Sequence, residues 1–364
     1  MNKLIRGCIL NAQLYQPGKS RDDLDLRGEL DKDICKLASN ENPLGPSPLA
    51  LEAIHEALHE SHLYPDNTCS RLTGKLAQSF GIPPDRIAVG NGSTDLIHLI
   101  GVAFLNAGEA FLMSRPSFAM AKMVAQIMDC RLLEIPLKAY HHDFESIEKN
   151  ITPETKIVYI DNPINPIGTM VTQREVDRFM ERIPDDVLVI FDEAYREYVT
   201  RKDYPDTMKL IEEGKNVILL RTFSKLYGLA GFRIGYLVAN PTFADAVRRV
   251  IPPFSVNRFA QLAAAAALDD EEHIRKTRAI NDAGKRFLYK NFDRLSVFAI
   301  PSETNFLTID VKTDAIKMSE ELMNRGVIVR PLNMYGLDTF MRVTIGTQEQ
   351  NEKFIEAFET VYET

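Results

Sequence analysis

Residues 221–236 read Arg221-Thr222-Phe223-Ser224-Lys225-Leu226-Tyr227-Gly228-Leu229-Ala230-Gly231-Phe232-Arg233-Ile234-Gly235-Tyr236. They set one lysine in a tight loop of hydroxyl, glycine and alanine residues, with an arginine eight positions later. A lysine amine in such a loop can serve as a Schiff-base nucleophile. An isolated lysine is far more often a solvated surface charge, so the reading depends on what flanks it. Val217–Leu220, just before the loop, is a short, wholly apolar run, the pattern of a strand buried on both faces. Gly235–Val238, just after it, reads the same way.

Further out the pattern repeats. Ile87–Val89, Ala110–Met113, Arg131–Ile135, Lys156–Ile160 and Val187–Phe191 are short, mostly apolar runs that read as buried strands. Helical patterns separate several of them, as in Thr94–Leu105 and Gln173–Glu181. Such alternation predicts an α/β domain with a mostly parallel sheet. Before it, Ser47-Pro48 opens a helix that runs to about Leu58, with Ser as cap and Pro in the first turn. After Ala239 the texture changes. An alanine-rich helix (Ala260–Leu268) and a long charged helix to about Asn291 are followed by strand (Asn305–Val311), helix (Ala315–Arg325), strands (Val327–Val329 and Met341–Ile345) and helix (Glu349–Val361). The expected division is therefore 1–47 as an arm with part of a small domain, 48–250 as a large domain, and 251–364 as a small α+β domain.

The chain has 364 residues, 45% hydrophobic and 26% charged, with a formal net charge of −8. That balance fits a globular protein and argues against nucleic acid as the main partner. No apolar run is long enough to span a bilayer, and the N-terminus lacks the sustained apolar stretch of a secretory signal. The four cysteines fit no zinc spacing and read as reduced thiols in a cytoplasmic protein. His55, His59 and His62 share helical spacing without thiol or acidic partners, so no metal is expected. His141 and His142 lie among polar residues and are expected to face solvent.

Three more stretches fall at the ends of predicted strands, where open α/β sheets build their sites. Gly90-Asn91-Gly92-Ser93-Thr94 lies between a strand and a helix. It can be a plain capped turn or a phosphate cradle, in which glycines let the backbone approach and the helix start offers free N–H groups. Asp161-Asn162-Pro163-Ile164-Asn165-Pro166-Ile167-Gly168 carries two Asn-Pro pairs, a structural turn that could also hold the Asn165 amide towards a ligand. Asp192-Glu193-Ala194-Tyr195 puts a carboxylate at a strand mouth. It is either a helix cap or a buried acid in need of a cationic partner.

Taken together these motifs resemble the fold-type I aminotransferases that use pyridoxal 5′-phosphate (PLP), and within them the histidinol-phosphate aminotransferase branch. Thr222–Tyr236 is similar to the cofactor-lysine motif of the superfamily. Lys36-Leu37-Ala38-Ser39-Asn40-Glu41-Asn42-Pro43-Leu44-Gly45-Pro46-Ser47-Pro48 resembles the N-terminal motif of the branch. Tyr64-Pro65-Asp66, Gly90–Thr94, Asn165-Pro166, Asp192–Tyr195, Gly326–Pro331 and Met341–Thr347 follow in matching order, so the resemblance covers nearly the whole chain. One departure stands out: Ile164 and Ile167 replace residues that are polar in the family.

The resemblance implies a role for each residue. Lys225 would hold the cofactor and act as acid and base. Asp192 would pair with the ring nitrogen, and Asn165 and Tyr195 with the ring oxygen O3′. Gly92, Ser93, Thr94, Thr222, Ser224 and Arg233 would surround the phosphate end, and Phe118 would stack on the ring. Arg330 and Arg342 would bind the substrate's anionic group, Asn165 would also face the substrate, and Tyr15 would close over it. Tyr64 would reach the partner's site in a homodimer. The implied activity is ping-pong amino transfer from an amino donor, histidinol phosphate, to a 2-oxo acid acceptor, 2-oxoglutarate. Rivals are an aromatic amino-acid aminotransferase, a PLP lyase such as a threonine-phosphate decarboxylase and, in another class, a PLP-binding transcription regulator. The last would need a DNA-binding domain, for which the early motif at residues 36–48 leaves no room.

Overall fold

The computed structural model describes residues 4–12 and 34–362. In chain order its strands are β1 (Cys35–Lys36), β2 (Ile87–Gly90), β3 (Ala110–Arg115), β4 (Arg131–Pro136), β5 (Thr155–Asp161), β6 (Leu188–Asp192), β7 (Val217–Thr222), β8 (Gly235–Ala239), β9 (Phe298–Ala299), β10 (Phe306–Asp310), β11 (Val327–Ile328), β12 (Arg330–Leu332) and β13 (Leu337–Thr344). Seven of them form one sheet in the order β2-β8-β7-β6-β5-β3-β4. Only β8 runs against its neighbours, pairing antiparallel with β2 and β7. The carboxyl ends of β2, β3, β5, β6 and β7 therefore lie along one edge.

Successive strand residues point to opposite faces, and here both faces are covered. Val158, Ile160, Val189, Phe191 and Leu219 enter one apolar cluster. Ile157, Tyr159, Leu188, Ile190, Ile218 and Leu220 enter the other. That double burial is why these segments read as unbroken apolar runs rather than as alternating ones. No helix among the described residues is long and apolar enough to cross a membrane.

The predicted helix at Ser47-Pro48 spans Pro48–Ala57, and Ser47 Oγ accepts from the Ala50 N–H. The alanine-rich segment forms the helix Arg258–Ala267. It packs in the same core as the sheet, with Ala260, Ala263, Ala264, Ala265 and Ala267 all buried against residues such as Ala50, Leu72 and Leu76. Small side chains allow that close approach. This packing puts the helix with the large body, although it was expected in the small one. A boundary within the following helix, Glu271–Arg294, suits it better than one at residue 250.

The smaller body holds a four-stranded antiparallel sheet, β12-β13-β10-β9, and a parallel pair, β1-β11. Its core includes Leu288, Phe292, Leu307, Val343, Phe354 and Phe358. The expected strand Val327–Val329 is β11, Val327–Ile328, and an unexpected strand, β12, follows it from Arg330. β12 contains Pro331, which is tolerated because β12 is an edge strand and needs fewer ladder donors. Ile164 and Ile167 are fully buried with Ile300, beside Leu337 and Phe340. The two departures from the family pattern thus form an apolar seam between the Asn-Pro turn and the smaller sheet.

Candidate active site

A cavity of roughly 200 Å³ opens where the sheet's carboxyl edge meets the smaller body. Ser93, Thr94, Phe118, Asn165, Asp192, Tyr195, Thr222, Ser224, Lys225, Arg233, Arg330 and Arg342 line it, together with residues that include Asn40, Asp161 and Tyr335. Residues from five strand ends and from the small sheet therefore converge, although up to 249 positions separate them in sequence (93 to 342).

Lys225 follows β7. Its Nζ donates to the Ser39 carbonyl at 3.2 Å and lies 5.7 Å from the Tyr195 ring centroid. Burial, reinforced by the Arg342 charge, pushes its pKa down to about 8. The loop is held from outside. Asn42 Nδ2 donates to the Leu226 carbonyl at 2.7 Å. Gly228 has φ +69, and any side chain there would overlap the Gly45 carbonyl oxygen. The motif at residues 36–48 thus acts by docking on the lysine loop.

Asp192 ends β6. Tyr159 donates its hydroxyl to Oδ2 at 2.6 Å, and the Ala194 N–H donates to Oδ1 at 3.1 Å. The carboxylate has a phenol and an amide where a cationic partner was expected. Burial raises its pKa to about 6. Tyr195 is buried, its pKa pushed up to about 12 chiefly by burial. Asn40 Nδ2 donates to the Tyr195 oxygen at 2.8 Å, which leaves the phenolic proton available to another acceptor.

The phosphate cradle of the sequence reading is the start of the helix Ser93–Phe104. Gly92 has φ +96, and a Cβ there would come within 2.7 Å of Arg233 Nη2. A Cβ at Gly235 would come within 2.6 Å of the Ser93 nitrogen. The glycines thus let a guanidinium and an adjacent strand approach the helix start, whose first N–H groups lack intrahelical partners. Thr222 Oγ1 and Ser224 Oγ are 2.9 Å apart beside it.

On the other wall, Arg330 and Arg342 are register partners on β12 and β13. Arg342 Nη1 donates to Asn165 Oδ1 at 2.5 Å, and Nη2 donates to the Ala38 carbonyl at 3.0 Å. Arg330 Nη2 contacts Met334 Sδ at 2.9 Å.

Two expected residues stand apart. Tyr15 lies outside the described residues. Tyr64 is 78% exposed, stacked on Phe254 with ring centroids 4.7 Å apart, and does not line its own chain's cavity. One expectation was wrong: His142 is buried, not solvent-facing. The turn Lys138–His141 closes on itself through two backbone hydrogen bonds. This directs His142 inward, where Nδ1 meets Ser114 Oγ at 2.6 Å and Nε2 the Asp161 carbonyl at 2.9 Å. Asp161, Tyr159, Asn40 and Tyr335 were missed. Tyr159 carried a signal, a polar-tipped aromatic within an apolar strand, whose hydroxyl must find a partner when buried.

These residues fit PLP. A buried carboxylate with a raised pKa suits a cationic ring nitrogen, a helix start with Arg233 suits a phosphate, and a lysine with a lowered pKa suits an aldehyde.

The family described as aminotransferase class I and II matches residues 32–358. A histidinol-phosphate aminotransferase of Moorella thermoacetica is 43% identical over 357 residues, covering 98% of this chain and 92% of the relative. One of Caldicellulosiruptor saccharolyticus is 42% identical over 358 residues, covering 98% of this chain and 100% of the relative. The crystal structure of histidinol-phosphate aminotransferase from Sinorhizobium meliloti in complex with pyridoxal-5′-phosphate superposes with a TM-score of 0.90 at 27% identity, covering 99% of this chain and 98% of that one.

Proposed function

The chain belongs to the class I and II aminotransferases, and from that premise we propose that it transfers the amino group of histidinol phosphate to 2-oxoglutarate. The observation that carries this reading is the paired Arg330 and Arg342 on the cavity wall. Two guanidinium groups suit a phosphate or carboxylate tail, because each planar fork can make paired hydrogen bonds. Histidinol phosphate and 2-oxoglutarate both carry such a tail, so one wall can serve both half-reactions.

PLP, when bound, supplies an electrophilic aldehyde and a ring that accepts electrons. The chain's own groups do the rest. Lys225 Nζ, its pKa lowered to about 8, is far more readily deprotonated than an ordinary lysine and would be the base for the substrate's α-proton. Asp192 would keep the ring nitrogen protonated. Tyr195, a neutral phenol with its proton uncommitted, and the Asn165 amide would donate to O3′. Ser93, Thr94, Thr222, Ser224, Arg233 and the backbone at Gly92 would hold the phosphate, with Phe118 against the ring face. The homodimer is part of this proposal. The exposure of Tyr64 and Phe254, stacked on each other away from their own chain's cavity lining, supports a role for Tyr64 at a second copy's site. A cytoplasmic setting is also part of this proposal.

A donor panel tests the reading. With 2-oxoglutarate as acceptor, histidinol phosphate should give the highest kcat/KM. A much higher value for phenylalanine or tyrosine, or decarboxylation of threonine phosphate, would replace the substrate proposal. Borohydride should fix the cofactor to Lys225, and Lys225→Ala should abolish both labelling and turnover.

A further inference from the structure

Asp161 ends β5 and is the register partner of Asp192 on β6. It is 3% exposed and lines the cavity. Ser117 donates its hydroxyl to Oδ1 at 2.6 Å, and the Asn165 backbone N–H donates to Oδ2 at 2.8 Å. Ser117 sits in the turn after β3, immediately before Phe118. One carboxylate therefore joins the turn that carries the aromatic face to the turn that carries the Asn165 amide.

The main chain of Asp161 is fixed from behind. Its carbonyl can only accept, so the contact at 2.9 Å places the proton on His142 Nε2. Nδ1 then accepts from the Ser114 hydroxyl. Burial pushes the His142 pKa down to about 4, so the ring is neutral and brings no counter-charge. The titratable groups facing Asp161 are His142, Asp192 from β6 and Tyr159 from its own strand. None of them supplies a positive charge, and burial raises the Asp161 carboxyl to about 7. Burying a carboxylate on these terms is costly unless its hydrogen bonds are all in place.

The geometry points to Asp161 as a positioning residue for the cofactor: its carboxylate holds the Phe118 and Asn165 turns in register, so that the face and the edge of the bound ring are gripped together. This rests on the reading that PLP lies against Phe118 and Asn165. It is independent of which amino donor the enzyme uses.

Asp161→Ala removes both acceptor oxygens, so neither the Ser117 hydroxyl nor the Asn165 N–H keeps its carboxylate partner. Ser117→Ala cuts one branch only, and Ser117→Thr keeps the hydroxyl. PLP affinity by ultrafiltration and the induced circular dichroism of bound PLP report on ring placement, and melting of the apoprotein reports on folding. Ser117→Ala should weaken PLP binding several-fold, and Asp161→Ala roughly tenfold or more. Both should diminish the induced signal, and Ser117→Thr should restore it. The double variant should bind about as Asp161→Ala alone, because the branch to Ser117 exists only through Asp161. Wild-type affinity and signal in the variants, or effects that multiply, would overturn the proposal. If Asp161→Ala does not fold, the comparison of Ser117→Ala with Ser117→Thr decides alone. A wild-type protein that fails to bind PLP would overturn the cofactor reading itself.

Discussion

The Arg342 guanidinium, on the smaller body, donates to the side-chain oxygen of Asn165, on the larger one, at 2.5 Å. Arginine is only a donor, so this contact orients the Asn165 amide with its oxygen towards Arg342 and its NH2 free for the cavity. On the proposed reading Arg342 would have two tasks, to present a charge to the substrate and to set the orientation of an amide aimed at the cofactor. Arg342→Ala should lower kcat/KM for both donor and acceptor by about 100-fold, roughly 3 kcal/mol of transition-state binding. Arg342→Lys should recover little, because an ammonium cannot make the two divergent bonds to Asn165 and Ala38. Steady-state kinetics on both half-reactions measure this.

Gly92 is a tight, left-handed point of the cradle. At φ +96 a side chain is strained, and its Cβ would press on Arg233 Nη2. Gly92→Ala should weaken PLP binding about tenfold and destabilise the apoprotein by about 1–2 kcal/mol. PLP titration and denaturant melts give the two numbers separately.

The raised pKa values of Asp192 and Asp161 make the apoprotein's stability depend on pH. Both carboxyls titrate higher when folded, at about 6 and about 7, than the ordinary 3.8. The stability they contribute is fully present below about pH 3.8 and is lost as pH rises through 6 and 7. Asp192→Asn removes one of these groups. The melting temperature of the variant, relative to wild type, should therefore rise between pH 4.5 and pH 7.5 in cofactor-free protein. A flat difference across that range would contradict it. Added PLP should stabilise wild type more than the variant, since the carboxylate then gains its cation.

Ile164 and Ile167 should resist a return to the polar residues usual in the family. Each is fully buried against Ile300. Ile164→Asn or Ile167→Thr would leave a polar group without a partner in an apolar seam and should cost about 2–4 kcal/mol. Chemical denaturation measures it. Ile164→Val, which keeps the seam apolar, should cost about 1 kcal/mol.

Much of the fold was legible because strands buried on both faces leave an unmistakable apolar run. β5, β6 and β7 were each located to within a residue or two, as was the helix capped by Ser47. The alanine-rich helix was located too, but its partner was not. Alanines say that something comes close without saying what, and the large body turned out to be the neighbour. β12 was hidden by Pro331, which is acceptable only on an edge that pairing alone reveals.

The site divides in the same way. Lys225, Asp192 and the Gly90–Thr94 turn stand out through local spacing, because each motif is shaped by the backbone immediately around it, whereas Arg330 and Arg342 were expected only from the resemblance to the family. Sequence by itself pointed, through the resemblance of these motifs to the PLP aminotransferases, to a cofactor held on a lysine at the sheet's carboxyl edge. Tertiary structure alone decided that Asp192 rests on Tyr159, that Arg342 orients Asn165, that Asp161 ties two turns together and that His142 points inward. Those relations are made by hydrogen bonds between segments far apart in the chain. Their partners are chosen by which strand ends the sheet order brings side by side.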